Sequence, residues 1–271
     1  MRCPVCGAPF AATAGGVCCV AGHSFDRARQ GYISLLSGEA SKHRSDTAAM
    51  VAARRRILDA GVFTAVTDAL SAAVPASAGL IVDAGAGTGH YLAAALEAAP
   101  EACGIGIDLS KYGGRSIARA HPRARAVVCD VWSGLPIASA STDTVLSVFA
   151  PRNVADTARI LAVGGRWLLV TPNPGHLEQV REPLGMLSIG SDKLARLHDD
   201  LAAGGFAVRR SVPVTADVDL SVAQLADLAG MGPAGFHRTA AELTAAAEAL
   251  VGGADGVRAT LEVTVTVAIR H

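Results

Sequence analysis

Short apolar runs alternate with helical patterns over most of this chain. Five runs typical of buried strands cover residues 80–82, 104–107, 126–128, 144–148 and 167–170. Between the first three runs, apolar residues recur three and four positions apart, as one face of a helix requires, and predict helices over 91–99 and 112–120. Strands that alternate with helices at this spacing form parallel βαβ units. The pattern therefore predicts an α/β protein with a Rossmann-like sheet.

Two further segments carry a periodic pattern. Residues 257–270 alternate apolar with polar or small side chains, which predicts a final hairpin strand. Residues 47–60 predict a helix, and a polar stretch that contains Gly38 and Lys42 precedes it. We therefore expect a linker followed by a helix before the first βαβ unit.

The composition is that of a folded protein with one sizeable core. The chain has 271 residues, of which 51% are hydrophobic, and this excludes a disordered or coiled-coil protein. No run of about 18 uncharged apolar residues occurs, and the N-terminus lacks the regions of a secretion signal. We therefore expect a cytoplasmic protein without a membrane-spanning segment.

Charge is unevenly distributed although the formal net charge is zero. Residues 1–60 contain 8 Lys and Arg against 4 Asp and Glu, a net charge of +4, which leaves −4 for the rest. Arg54, Arg55 and Arg56 are consecutive in the predicted helix of this basic part. On the sequence alone, the triplet fits RNA phosphate contacts and an ordinary solvated helix face about equally well.

Cysteines near the N-terminus form a metal-ligand pattern with one histidine. The pattern is Cys3-x2-Cys6-x12-Cys19-x3-His23. Two knuckles separated by a dozen residues are typical of zinc sites, since each knuckle supplies two ligands from one tight turn. Cys18 competes with Cys19, whose spacing to His23 is tighter, and a disulfide or free buried thiols are the alternatives to zinc. Four protein ligands predict a structural zinc ion whose binding is coupled to folding.

A glycine-rich turn follows the first predicted strand. A dinucleotide fingerprint would place its third glycine at position 90, which is His90, whereas the glycines here are Gly85, Gly87 and Gly89. This spacing favours S-adenosylmethionine, because the glycines let the turn approach the ligand closely. Asp83 can accept a charge-assisted hydrogen bond from the methionine ammonium.

Two more acidic residues end the next predicted strands. Asp108 follows the second strand, where a carboxylate can accept hydrogen bonds from both ribose hydroxyls. Asp130 follows the third strand, where it can accept a hydrogen bond from the adenine amino group. A single acid in such a place is commonly a helix cap. Acids at three successive carboxyl ends of parallel strands instead predict a methyltransferase rather than a dehydrogenase.

These motifs resemble the guanine-N1 methyltransferases of large-subunit (23S) ribosomal RNA, in particular their macrolide-resistance branch. The resemblance covers nearly the whole chain. It rests on the zinc pattern and on residues 25–32, 50–54, 58–61, 83–90, 148–153 and 231–233. It implies a zinc-binding RNA-recognition module over residues 1–36, a basic linker with helices over 37–75 and a class I methyltransferase domain over 76–271. It also implies a homodimer whose zinc modules help to form an RNA-binding cleft.

The resemblance also assigns individual residues. Gly87 and Thr88 match the cofactor turn, and His176 matches a cofactor-contacting histidine beyond the fifth strand. Phe63 stands where we expect the family to have a tyrosine, so the contact through that hydroxyl is missing here while ring packing can persist. Without the resemblance, His176 would be taken for a surface histidine.

The segment after the fourth predicted strand lies where methyltransferases of this class place the target base. Phe149 can pack on a purine, Asn153 can bond its edge, and Arg152 can contact phosphate; Pro151 completes the candidate catalytic segment. Simple core packing is the alternative for Phe149. Because a sulfonium methyl group is already activated, the site mainly has to hold guanine N1 in line with it and exclude water.

The combined prediction is methyl transfer from S-adenosylmethionine to N1 of a guanine in a 23S rRNA hairpin. By the resemblance, this hairpin lines the macrolide-binding region of the exit tunnel, and its methylation would confer macrolide resistance. A small-molecule methyltransferase of a natural-product pathway explains the cofactor residues but not the zinc module. A catalytically inactive RNA-binding protein explains the module but leaves the three acids without a role.

Overall fold

The computed structural model describes residues 1–36 and 43–271, so the predicted linker residues Gly38 and Lys42 lie outside the described residues. The strands are β1 (Phe10–Ala12), β2 (Gly16–Cys19), β3 (Ser24–Asp26), β4 (Tyr32–Ser34), β5 (Leu80–Ala84), β6 (Cys103–Asp108), β7 (Ala124–Val128), β8 (Thr142–Val148), β9 (Leu161–Pro172), β10 (Phe206–Leu220) and β11 (Val257–Arg270). The helices are α1 (Ala48–Asp59), α2 (Thr64–Ser71), α3 (His90–Ala98), α4 (Lys111–Ala120), α5 (Val154–Ile160), α6 (Glu178–Arg181), α7 (Lys193–Ala203), α8 (Val222–Gly230) and α9 (Ala240–Val251).

Eight strands form one central sheet in the order β10-β11-β9-β8-β5-β6-β7-β4. The strands from β9 to β4 are parallel, and β11 runs antiparallel to both of its neighbours. All five predicted strands fall within β5 to β9, and the predicted helices coincide with α1, α3 and α4 to within about a residue. The predicted α/β, Rossmann-like fold is confirmed.

The predicted last strand, 257–270, coincides with β11. It pairs antiparallel with β10, as a hairpin strand would, over fourteen register positions. The two strands are nevertheless joined by α8 and α9 rather than by a turn. The hairpin connection was therefore wrong. Residues 212–219 of β10 do alternate, with half-buried Val212, Val214, Ala216 and Val218 between exposed Pro213, Thr215, Asp217 and Asp219, but no strand was predicted there.

Both faces of the parallel strands are covered. Ile81 and Val82 are neighbours in β5 and fully buried, yet they belong to two different apolar clusters on opposite faces of the sheet. Leu146 and Val145 repeat this arrangement in β8. Helices α2, α3, α8 and α9 contribute to one cluster, and α5 and α7 to the other. Strands that meet water on neither face appear in the sequence as continuous apolar runs.

The N-terminal segment contributes to two sheets. Strands β1, β2 and β3 form a separate antiparallel sheet, whereas β4 pairs in parallel with β7 at the edge of the central sheet. Val17, Ile33 and Leu35 are buried in the same apolar cluster as Val127 and Trp167. The cysteine-rich segment is therefore packed onto the main sheet.

None of the helices in the described part of the chain has the length and apolar character needed to span a bilayer.

Candidate functional site

A cavity of about 590 Å³ lies at the carboxyl ends of β5, β6, β7 and β8. The predicted acids Asp83, Asp108 and Asp130 all line it, together with Phe149, which directly follows β8. Strand β5 lies between β6 and β8, so the chain winds in opposite directions from this point. Open α/β sheets bind ligands at such a switch point.

Asp83 is the most deeply buried acid of this cavity. Only 1% of its surface is exposed, and its Oδ1 atom has no hydrogen-bond partner among the described residues. Burial, with a further contribution from the negative charge of Asp108, raises the pKa of Asp83 to about 8. A cationic group bound in the cavity would supply the missing partner and favour the carboxylate. The ammonium of S-adenosylmethionine has this chemistry, so Asp83 fits the cofactor.

Asp108 and Asp130 also hold the local backbone. The two oxygens of Asp108 accept hydrogen bonds from the amides of Gly87 and Ser110, both at 2.8 Å. Burial raises the pKa of Asp108, although these two hydrogen bonds act in the opposite direction. Asp130 accepts a hydrogen bond from the Trp132 amide at 3.0 Å. Because each carboxylate oxygen has two lone pairs, both acids can still accept hydrogen bonds from ligand hydroxyl or amino groups.

Close packing explains why glycines are required in the turn after β5. Gly85 has a φ of +84°, and a Cβ atom there would lie 2.6 Å from Ala150 Cβ. Gly89 has a φ of +82°, and its Cβ atom would lie 2.8 Å from Ala120 Cβ in α4. The turn residues that line the cavity are Gly85, Ala86, Gly87 and Thr88. Gly89 does not line it and instead allows the start of α3 to pack against α4.

Three aromatic rings form one wall of the cavity. The ring centroids of Phe63 and Phe149 lie 5.8 Å apart, as do those of Phe149 and His176, and Phe63 and His176 are separated by 6.2 Å. Phe149 is 42% exposed and has a φ of +52°. A non-glycine residue in this conformation costs about 1–3 kcal/mol and is frequent at functional sites. The exposure of Phe149 argues against simple core packing.

His176 is buried and has a defined tautomer. Its Nδ1 atom accepts a hydrogen bond from the Glu262 backbone amide at 3.1 Å, which places the proton of the neutral ring on Nε2. Burial, with the positive charge of Arg181 as the next cause, lowers the pKa of His176 to about 4. His176 is therefore a neutral hydrogen-bond donor at physiological pH. The surface position suggested by the sequence without the resemblance was wrong.

The residues of the segment after β8 lie at three different sites. Pro151 lines the large cavity, and Arg152 lines a smaller cavity of about 200 Å³ that shares the Phe149 ring. Asn153 lines neither cavity. Its Oδ1 atom accepts a hydrogen bond from the Asp156 amide at 3.1 Å and its Nδ2 atom donates to the Val131 carbonyl at 3.0 Å, so this side chain caps α5.

The three consecutive arginines of α1 point in different directions. Arg54 lines the large cavity, whereas Arg55 and Arg56 are exposed. Their side-chain partners are Asp46 at 2.5 Å for Arg54, Ser116 at 2.6 Å for Arg55 and Asp227 at 2.5 Å for Arg56. Successive helical positions are separated by about 100°. The triplet therefore forms no single basic face.

Arg54 and Tyr91 also line the cavity, where neither was predicted. Arg54 also donates a hydrogen bond to the Met231 carbonyl at 2.7 Å, which ties α1 to the segment after α8. Tyr91 is buried beside Asp83, and burial raises the pKa of its hydroxyl. No sequence signal placed Arg54 in the cavity, because a positive charge at this position suits contact with RNA phosphate as well as contact with a bound cofactor. Tyr91 could have been found from its position two residues after Gly89, in the first turn of α3.

The four predicted zinc ligands lie together. The ligand atoms of Cys3, Cys6, Cys19 and His23 all fall within 4.8 Å of one another. The Cys6 and Cys19 sulfurs are 3.7 Å apart, and His23 Nδ1 lies 3.4 Å from Cys19 Sγ and 3.7 Å from Cys3 Sγ. Tetrahedral zinc with bonds of about 2.3 Å to sulfur and about 2.0 Å to nitrogen sets ligand separations of about 3.5–3.8 Å. The residues therefore fit zinc, and Cys18 lies outside the cluster.

The fold and the cavity define a class: this is an S-adenosylmethionine-dependent methyltransferase with an N-terminal segment built around structural zinc. Two family models match the chain and agree with this assignment. A model described as "RlmA, N-terminal", a zinc ribbon, matches residues 1–45. A model described as a methyltransferase domain matches residues 81–182.

Curated relatives show the family. The 23S rRNA (guanine(748)-N(1))-methyltransferase of Streptomyces fradiae is 40% identical over 249 residues, which cover 90% of this chain and 88% of that protein. A Micromonospora griseorubida protein assigned as a 23S rRNA guanine-N1 methyltransferase is 42% identical over 296 residues and covers 100% of this chain and 95% of that protein. The chain belongs to the family of 23S rRNA guanine-N1 methyltransferases.

Solved structures share the fold at low identity. The YcgJ protein of Bacillus subtilis has a TM-score of 0.53 at 15% identity and covers 77% of this chain and 98% of its own. A chain from the complex between the Haloferax volcanii Trm112 methyltransferase activator and a methyltransferase has a TM-score of 0.54 at 20% identity and covers 85% of this chain and 100% of its own.

Proposed function

We propose that this enzyme transfers a methyl group from S-adenosylmethionine to N1 of a guanine in a 23S rRNA hairpin. The observation that carries the proposal is the exposed Phe149 ring at the cofactor cavity. An exposed ring next to the cofactor suits a purine that has been turned out of folded RNA. The name of the Streptomyces fradiae relative specifies guanine 748, and we propose the equivalent guanine as the target.

The bound cofactor supplies an activated methyl group, so the chain mainly has to orient the two reactants. We propose that Phe149 stacks on the guanine and that Pro151 helps to close the site, while Asn153 acts indirectly by capping α5. The proposed cofactor contacts are Phe63, Asp83, Gly85, Gly87, Thr88, Asp108, Asp130 and His176. Gly89 would support this site through helix packing.

For RNA binding we propose the basic N-terminal part together with Arg152. Arg2, Arg27 and Arg29 are exposed and have no ion-pair partner among the described residues, which suits phosphate contact. Arg55 and Arg56 remain candidates, but each already has a side-chain partner within the protein. This distribution favours a footprint centred on the zinc-binding segment.

The division into residues 1–36, 37–75 and 76–271 is retained as a proposal, as is the homodimer. Their support is the resemblance described above, in which paired zinc modules form an RNA-binding cleft. Sedimentation of the zinc-loaded protein should give the mass of two chains. A monomer at micromolar concentration, with full activity, would contradict the dimer.

The reaction is tested with labelled cofactor and unmodified 23S rRNA transcript. A methyl group on guanine N1 blocks Watson–Crick pairing, so reverse transcription should stop at the modified position. Label without a stop would indicate another atom, and label only in a small molecule would support a natural-product methyltransferase. Since the proposed hairpin lies in the macrolide-binding region, expression in a sensitive host should also raise macrolide tolerance, and the Asp83→Asn protein should not.

A further inference from the structure

The smaller cavity beside Phe149 is lined by hydrogen-bond donors and apolar groups. Its volume is about 200 Å³, and its polar lining residues are Ser147, Arg152, Thr171 and Lys193. None of the described residues that line it carries a carboxylate. Phe149, Ala150 and Pro172 line both cavities and therefore form the wall between them.

The Ser147 hydroxyl at this cavity can donate a hydrogen bond to a ligand. The side chain is 2% exposed, and its Oγ atom accepts a hydrogen bond from Trp167 Nε1 at 3.1 Å. The hydroxyl hydrogen of Ser147 has no acceptor among the residues that the structure describes. A buried hydroxyl whose oxygen is already occupied by a donor is suited to donate to a ligand.

Two cationic side chains line the same cavity. Arg152 and Lys193, the latter being the first residue of α7, are half-buried and form no ion pair with any described residue. Burial lowers the pKa of Lys193, and the positive charges of Arg152 and Arg196 lower it further. Burial likewise lowers the pKa of Arg152, although Asp200 acts in the opposite direction. An anion between the two cations would relieve this unfavourable arrangement.

We propose that this pocket, defined by Ser147, Arg152, Thr171 and Lys193, binds the RNA phosphodiester next to the guanine that is methylated. A base stacked on Phe149 is covalently attached to a backbone whose phosphate can enter the cavity on the other side of the wall. The guanidinium of Arg152 and the ammonium of Lys193 then form charge-assisted hydrogen bonds to phosphate oxygens, to which the Ser147 hydroxyl also donates. The inference rests on the proposed function, and it adds a subsite that fixes the nucleotide by its backbone.

Arg152→Gln and Lys193→Gln test the pocket in the full-length, zinc-loaded protein. The substrate is the 23S rRNA hairpin transcript, and the matched control is Arg119→Gln, which removes one exposed positive charge from the last turn of α4. Arg119 lines neither of the two cavities. Each pocket variant should raise the KM for RNA roughly tenfold. The salt dependence of RNA binding should fall by about one phosphate contact, while cofactor affinity and the control stay unchanged.

A chemically modified substrate identifies the phosphate directly. Replacing the linkage on either side of the mapped guanine by a neutral methylphosphonate should, at one of the two positions, raise the KM of the wild-type enzyme about tenfold and that of Arg152→Gln less than twofold. Equal losses in both proteins, or no loss at either position, would overturn the subsite while N1 methylation still stands. A wild-type protein that does not methylate the hairpin would overturn both proposals.

Discussion

At the residue scale, the carboxyl group of Asp83 couples cofactor binding to protons. Its pKa is raised from 3.8 to about 8, so the group is largely protonated at neutral pH in the cofactor-free protein. Between these values the folded state holds a proton that the unfolded chain has released. The free energy of unfolding therefore falls as pH rises through this window, and the contribution of Asp83 is complete only below the unfolded pKa.

Cofactor binding should show the opposite dependence on pH. The methionine ammonium pairs with the ionised carboxylate, so we expect affinity to rise by up to about tenfold per pH unit below pH 8. Titration calorimetry in buffers of different ionisation enthalpy should detect proton release from Asp83 on binding. In Asp83→Asn, affinity should be independent of pH, and it should be lower than that of the wild type by about 1.5–3 kcal/mol above pH 8, where wild-type Asp83 is ionised. A wild-type affinity that is flat from pH 6 to 8 would contradict this assignment.

Substitution of neighbouring arginines of α1 should have different effects on cofactor affinity. Arg54 lines the cavity and is bonded to Asp46 and to the Met231 carbonyl, so Arg54→Ala should weaken cofactor binding by about 1–2 kcal/mol. Arg56 is mostly exposed and pairs with Asp227 on α8, so Arg56→Ala should leave cofactor affinity unchanged. Calorimetry on the two variants makes the comparison. Equal affinities would show that Arg54 does not reach the cofactor.

Phe149 should affect RNA turnover and not cofactor affinity. Loss of a stacking ring from the proposed base site removes about 1–3 kcal/mol, so Phe149→Ala should lower kcat/KM for RNA by about tenfold or more. Because the ring is 42% exposed, the melting temperature should change little. A large fall in melting temperature with a matching fall in activity would instead identify Phe149 as a packing residue.

At the scale of elements, the sequence predicted those parts of the fold whose residue pattern follows directly from burial or from strand direction. Strand β5 reads as apolar because Ile81 and Val82 are buried on opposite faces. The carboxyl ends of parallel strands lie at one edge of the sheet, so the proximity of Asp83 and Asp108 could be predicted as well. The long strand β10 could have been predicted too, because half-buried Val212, Val214 and Val218 alternate with exposed polar residues such as Thr215 and Asp217.

Other elements depend on contacts between residues far apart in the chain. Strand β4 has three residues and joins the central sheet by pairing with β7, about ninety positions later. The division of roles among Arg54, Arg55 and Arg56 depends in part on Asp227 and Met231 near the other end of the chain. The capping role of Asn153 was hidden because an asparagine can serve a ligand or a helix equally well.

The zinc-binding element gives a direct test of its ligands. Cys6→Ser should lose the metal, since one thiolate of the tetrahedral set is removed, whereas Cys18→Ser should retain it. Metal analysis of the purified wild type should find about one zinc ion per chain. A Cys18→Ser protein without zinc, or a Cys6→Ser protein with full occupancy, would reassign the second knuckle.

At the scale of the whole molecule, the zinc-binding segment and the methyltransferase sheet should unfold together. Strand β4 is part of the central sheet, and Val17 and Leu35 are buried against residues of that sheet. A small segment whose folding depends on metal would therefore transmit the loss of zinc to its neighbour.

Calorimetric unfolding of the zinc-loaded protein should accordingly show one transition, and a chelator should lower its temperature by several degrees, since about 1 kcal/mol shifts a domain of this size by about 2–4 °C. Cys6→Ser should match the chelated wild type and should not respond further to chelator. The Cys18→Ser protein should behave as the wild type. Cofactor should raise the transition in both metal states, because the Asp83 cavity lies in the sheet rather than in the zinc-binding segment. Two separate transitions, with the main one insensitive to chelator, would show that the β4–β7 pairing does not couple the two parts.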